Sequence, residues 1–109
     1  MDVFIIIQDN IAIITISGSV DSKTAGGLQE KIMGKVAETN NAMLDLTNVE
    51  FVSSAGLRVL LMVYRQIKSK SGKVILVGVS EEIRDVMSMT GFINFFEIAD
   101  TIDNALKLF

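Results

Sequence analysis

Two runs in this chain leave no strand face free for water. They are Ala42 to Leu46 and Val74 to Val77, the second apolar at every position. A run apolar on both faces suits a central strand of a sheet covered by helices. Around them, short β-branched runs alternate with helical stripes. Phe4 to Ile7 and Ile11 to Ile16 flank the polar turn Gln8-Asp9-Asn10 and read as a hairpin ended by Ser17-Gly18-Ser19. Asp21-Ser22 offers an N-cap, followed by Ala25, Leu28, Ile32 and Val36 at helical spacing. Thr39-Asn40-Asn41 ends that helix.

A second helix runs from about Ser54 to Lys70, with Leu57, Leu60, Leu61, Tyr64 and Ile67 as its core stripe, and Ser71-Gly72 stops it. Ser80-Glu81-Glu82 caps a third helix carrying Ile83, Val86 and Met87, ended by Gly91. Phe95 to Ile98 reads as a fifth strand. Asp100 then caps a last helix with Asp103 in its first turn and with Ile102, Ala105, Leu106 and Phe109 facing inward. The order β-β-α-β-α-β-α-β-α predicts an α/β fold. Its sheet is five-stranded, mixed and mainly parallel, with four helices and right-handed crossovers. Residues 1–109 form one domain, without Pro, linker or repeat. Gly26, Gly27 and Gly34 weaken the first helix, and close packing against the sheet is one reason to tolerate them.

Composition narrows the function. The chain has neither Cys nor His. Disulfides, thiolate chemistry, Cys/His metal sites and a Ser-His-Asp triad are excluded. A net charge of −3 argues against nucleic acid and against an anionic membrane surface as partners. Asp2 stands where a signal peptide would be basic, and no apolar run approaches the roughly 20 residues of a membrane span. A soluble cytoplasmic chain is expected. Ser71-Gly72-Lys73-Val74 lacks the earlier Gly of a P-loop and the hydroxyl after its Lys. No cofactor is expected.

The chemistry gathers at Ser53 and Ser54, where a strand gives way to the second helix. Unpaired backbone N–H groups at a helix start accept either a capping hydroxyl or a phosphate. Ser54, Ala55, Arg58, Met62 and Arg65 share a face turned from the core stripe, with Val59 beside it. Ala55, Val59 and Met62 leave an apolar strip edged by two arginines, as at a partner surface or under a covering loop. Asp21 and Asp45 read either as a helix cap and a local turn bond, or as acids brought beside Ser54 at one sheet edge.

Phe51-Val52-Ser53-Ser54-Ala55-Gly56-Leu57, Gly18-Ser19-Val20-Asp21 and Asp45-Leu46-Thr47 give the whole chain a family likeness. It resembles the STAS-domain anti-anti-sigma factors, antagonists of bacterial anti-sigma kinases. Their usual motif is Asp-Ser-Ser-Gly-Leu or Asp-Ser-Thr-Gly-Leu, with the first hydroxyl after the Asp phosphorylated. Matching the Gly-Leu pair puts the phosphoacceptor on Ser54, Ser53 in the place of the Asp, and Ala55 in that of the second hydroxyl. Asp21 matches an acid near the acceptor. Ser53 removes a charge beside the acceptor and supplies a competing hydroxyl.

The resemblance implies a partner switch. The unmodified chain binds an anti-sigma factor Ser/Thr protein kinase and frees the sigma factor. The kinase phosphorylates Ser54 and releases the chain, and a PP2C-type phosphatase restores it. Asp21, Ser53, Ala55, Gly56, Arg58, Val59 and Met62 would form the partner surface, and the chain itself would not be an enzyme. Two rivals stand beside this: a non-switching STAS subunit of a lipid-transport complex or stressosome-like scaffold, and an enzyme with Ser54 as nucleophile.

Overall fold

A computed structural model describes all residues, 1–109. The strands are β1 (Asp2–Gln8), β2 (Ile11–Val20), β3 (Asn41–Val52), β4 (Val74–Val77) and β5 (Glu97–Ala99). The helices are α1 (Ala25–Glu38), α2 (Ser54–Lys68), α3 (Glu81–Thr90) and α4 (Ile102–Leu106), with a 3-10 turn at Phe92–Phe95. The strands lie in the order β1-β2-β3-β4-β5, with β1 antiparallel to β2 and the rest parallel. This is the predicted mixed, mainly parallel sheet.

Strand order explains the layering. Each crossover from β2 to β5 advances one strand in the same direction. Crossovers of one hand then set their helices on one face. Leu28 and Ile32 of α1, Leu60 and Val63 of α2, and Ile83 and Met87 of α3 accordingly share one core with Ile14, Leu44 and Leu76. The other face has a smaller core, in which Ala105 of α4 meets Met43, Ile75, Val77 and Ala99.

The hairpin turn is tighter than predicted. Gln8 belongs to β1, and Asp9 and Asn10 alone make the loop, both at positive φ. That is the two-residue turn whose twist suits a hairpin. The N-cap of α1 is Thr24, not Asp21-Ser22, and its side chain makes no capping bond. At Gly26, Gly27 and Gly34 an added Cβ meets nothing within 4 Å, so close packing does not account for them.

The C-terminal elements also shift. β5 begins at Glu97 because Phe92–Phe95 coils into the 3-10 turn, where the Phe95 ring packs at a tilt against Tyr64, centroids 5.2 Å apart. Thr101, not Asp100, caps α4 by accepting from the Asn104 N–H. A helix this short buries little: Ala105 is inside, and Ile102 and Leu106 are exposed.

α2 is broader in its burial than a single stripe. It lies between α1 and the 3-10 turn, so it is covered on two flanks as well as beneath. Leu57, Leu60 and Ile67 are buried as predicted, joined by Gly56, Val59 and Val63. Leu61 and Tyr64 are only half-buried. Of the three residues that mark α3, Ile83 and Met87 are buried and Val86 is exposed.

Candidate functional site

The parallel register of β2 and β3 builds the site. Val20 and Val52, the last residues of their strands, are partners, and the Ser53 N–H donates to the Val20 carbonyl at 2.8 Å. The chain leaves both strands at the same point of the sheet. Asp21 follows one strand, and Ser53 and Ser54 follow the other.

The two hydroxyls are not equivalent. Ser53 is the N-cap of α2: its backbone is extended and its Oγ accepts from the Gly56 N–H at 3.3 Å. Its carbonyl accepts from the Leu57 N–H at 2.9 Å, the first bond of the helix. A hydroxyl in that role satisfies one of the N–H groups a helix start leaves open. Ser54 is the first helical residue and is exposed. Capping therefore occupies one hydroxyl and leaves its neighbour turned to solvent.

Gly56 fixes how near the helix comes to the sheet. A Cβ there would lie 2.8 Å from Val20 Cγ1 and 2.9 Å from both the Val20 carbonyl oxygen and Val52 Cγ1. The absence of a side chain lets the first turn of α2 rest on the ends of β2 and β3. Gly56 is thus buried, and it shapes the surface from below rather than forming it.

Asp21 is organised by its own turn. Its Oδ1 accepts from the Lys23 N–H at 2.8 Å, the Thr24 N–H at 3.1 Å and the Thr24 hydroxyl at 3.3 Å. The Lys23 N–H is the main cause holding its carboxyl below the ordinary value of 3.8. Desolvation opposes this, and the Thr24 bonds and Lys23 charge assist. Asp21 is ionised at neutral pH and held beside the α2 start.

Asp45 lies elsewhere. It pairs with Thr15 and Val77 in the sheet, and its Oδ1 accepts from the Thr47 N–H at 3.0 Å and the Thr47 hydroxyl at 2.6 Å. Seven residues separate it from the end of β3, on the order of 20 Å along a strand. The local turn bond is its role, and it does not join the site.

The outward face of α2 needs one correction. Val59 is 3% exposed and belongs to the main core, so it does not extend an apolar surface strip. Ser54, Arg58 and Arg65 are exposed, and Ala55 and Met62 are half-buried. Sequence reasoning missed what stands across from this face. A cleft of about 330 Å³ separates α2 from the end of α3, lined by Ser54, Leu57, Arg58, Leu61, Arg65, Thr90 and Phe92. Phe51, 53% exposed on the last stretch of β3, is a further large apolar group near the serines. Its one signal in the sequence was an aromatic residue two positions before the hydroxyl pair.

No cluster of acidic side chains could hold a metal ion. No helix is long and apolar enough to cross a membrane.

Comparison with known proteins agrees with this architecture. Residues 4–105 match the STAS domain. BtrV of Bordetella bronchiseptica, which bears the provisional name of an anti-sigma factor antagonist, is 30% identical over 102 residues, covering 93% of this chain and 88% of its own. The anti-sigma-F factor antagonist RsfB of Mycobacterium tuberculosis is 31% identical over 100 residues, 91% of this chain and 81% of its own. The crystal structure of an anti-sigma factor antagonist from Mycobacterium paratuberculosis superposes with a TM-score of 0.87 at 28% identity. It covers 98% of this chain and 92% of that one. Five strands in sequential order, a capped α2 and a match along nearly the whole length converge: this chain belongs to the STAS domain family, among relatives that act as anti-sigma factor antagonists.

Proposed function

We propose that this chain is an anti-sigma factor antagonist working by partner switching, with Ser54 as its phosphoacceptor. Unmodified, it binds an anti-sigma Ser/Thr kinase at the start of α2 and so releases the sigma factor. The observation that carries the reading is the division of labour between the serines. Ser53 Oγ is engaged by the Gly56 N–H, whereas Ser54 is exposed at the first helical position. A kinase reaches Ser54 without first breaking a cap.

In the transfer, Ser54 Oγ forms a bond to the γ-phosphorus of the partner's ATP as the bond to ADP breaks. The hydroxyl proton passes to a base on the kinase. This chain supplies only the acceptor, which fits its lack of His. The product gains about −1.5 to −2 charges. Its own fold tolerates them, because the N-terminus of α2 favours an anion by about 0.5 kcal/mol. A partner surface fitted to a neutral hydroxyl does not. Loss of about 3 kcal/mol of binding weakens the complex more than a hundredfold. A PP2C-type phosphatase would reverse the change.

The test is to recover the partner on immobilised chain, add ATP and map the phosphate by fragmentation mass spectrometry. Phosphate is expected on Ser54. Ser54→Ala should bind and resist modification, and Ser54→Asp should bind at least a hundredfold more weakly while unfolding at a slightly higher temperature. Phosphate on Ser53 alone, or equal affinity of modified and unmodified chains, refutes the proposal.

A further inference from the structure

The cleft beside Ser54 has a chemistry of its own. Its α2 wall is built from residues spaced i, i+3, i+4, i+7 and i+11: Ser54, Leu57, Arg58, Leu61 and Arg65. That spacing keeps them on one helix face. Half-buried Leu61 supplies apolar surface on the α2 side, with the core residue Leu57 beneath it, and Phe92 and Thr90 stand opposite. Arg58 and Arg65 are seven residues apart, about 10 Å along the axis. Arg58 stands between the levels of Leu57 and Leu61, and Arg65 lies one turn beyond Leu61.

Both guanidiniums lack an acidic partner. The one ion pair in the chain is Lys35–Glu38, at 4.0 Å. No Asp or Glu lines the cleft, and the Thr90 hydroxyl is turned back onto the Val86 and Met87 carbonyls. Two of the chain's three arginines thus stand uncompensated around an apolar hollow, in a protein whose net charge is −3. Charge complementarity selects a carboxylate, and the half-buried Leu61 and Phe92 select an aromatic or aliphatic group next to it.

We infer that this cleft receives a segment of the partner protein carrying an acidic residue next to a large apolar one, with Arg58 and Arg65 holding the carboxylate. The inference rests on the switch proposed above and gives that switch a second lever. Arg58 lies one turn after Ser54, at i+4, where oppositely charged side chains meet. A phosphate on Ser54, itself on the cleft wall, pairs with Arg58 and occupies its guanidinium. Modification then repels the partner and also engages one of the two groups that held it.

The experiment needs neither kinase nor ATP, so its failure is distinct from a failure of the switch. The isotope-labelled chain is titrated with 4-phenylbutyrate and with 4-phenylbutylamine, and then with a blocked Gly-Phe-Glu-Gly peptide and its Gln counterpart. The NMR shifts of Leu57, Leu61 and Phe92 are followed. Saturable shifts are expected with the acid and the Glu peptide, weaker by fivefold or more with the amine and the Gln peptide. Arg58→Gln combined with Arg65→Gln should lower acid affinity at least fivefold, with an otherwise unchanged spectrum reporting an intact fold. Phosphoserine installed at position 54 during translation should lower it at least threefold, and Arg58→Gln should abolish that response to phosphoserine. Equal binding of acid and amine overturns the inference. So does an absence of saturable shifts at these residues up to the solubility of the acid. Binding of phenylbutyrate without either peptide makes the cleft a small-acid site and overturns it equally.

Discussion

Gly56→Ala would test whether the first turn of α2 is seated on the sheet by contact. The new methyl carbon lies 2.8 Å from Val20 Cγ1 and 2.9 Å from the Val20 carbonyl oxygen and Val52 Cγ1. Carbon–carbon contacts prefer about 3.5–4.0 Å, so the neighbours must give by more than half an ångström. Val20 Cγ1 can turn, but the Val20 carbonyl cannot move freely, since it accepts the Ser53 N–H at 2.8 Å. Overpacking of this kind costs about 1–3 kcal/mol. Replacing Gly by Ala within a helix returns up to about 1 kcal/mol. The net expectation is a loss of about 1–2 kcal/mol, or roughly 5–10 °C in Tm for a domain near this size. Gly34→Ala is the internal control. It makes the same chemical change inside α1, where the Cβ meets nothing within 4 Å, and should gain about 0.5–1 kcal/mol. Urea titrations of both variants, with the slope held in common, decide the matter. If both stabilise the chain, the close seating of α2 is refuted.

The remaining expectations concern single groups. Ser53→Ala should cost about 1 kcal/mol in urea unfolding through loss of the cap, whereas Ser54→Ala should stay within about 0.5 kcal/mol; equal losses would contradict the assigned roles. Lys70 Nζ donates to the Val36 carbonyl at 2.8 Å, to the Ala37 carbonyl at 3.3 Å and to the Thr39 carbonyl, tying the last turn of α1 to the end of α2. Lys70→Met should lower stability by about 1.5 kcal/mol, with faster amide exchange at the end of α1 as its signature. Asp21 has a folded pKa below its ordinary 3.8. Its stabilising effect is therefore full above that ordinary value and fades as pH falls through the folded value. A carbon-detected NMR titration should place its midpoint below 3.8, and Asp21→Ala should flatten the acid limb of the stability curve there. A midpoint at or above that value would show that the Lys23 and Thr24 bonds are not maintained in solution.

Element order was legible because short apolar runs alternate with stretches of helical spacing along the chain. The end of β3 was not. Ala42 to Leu46 looks complete, yet the strand continues to Val52 through Asn48 and Glu50. The reason lies in its neighbours. β4 pairs only with Ala42–Asp45, and past that point β3 has β2 alone beside it, with two register shifts. A strand paired on one side tolerates polar residues that a central one excludes. That hidden length separates the two acids, since Asp21 follows the strand partner of Val52 whereas Asp45 is left mid-sheet. The hydroxyl pair itself was visible, but their division into cap and free group needed the backbone of Ser53. The far wall of the cleft was invisible for a different reason. Thr90 and Phe92 lie some thirty residues downstream and reach α2 only through the left-handed turn at Gly91, φ 79, and the 3-10 coil that follows.

The capping bond from the Gly56 N–H to Ser53 has an electrostatic corollary. Serine performs the cap with no formal charge, where an aspartate would perform it with one. The acceptor's nearest neighbour in the chain is therefore silent before modification, and the step at Ser54 runs from nothing to nearly a dianion. With a Debye length of about 8 Å at physiological ionic strength, a field made by one group at this distance is read at full contrast only by what touches it. The off state would then be graded by a single titration, that of the phosphate near pH 6.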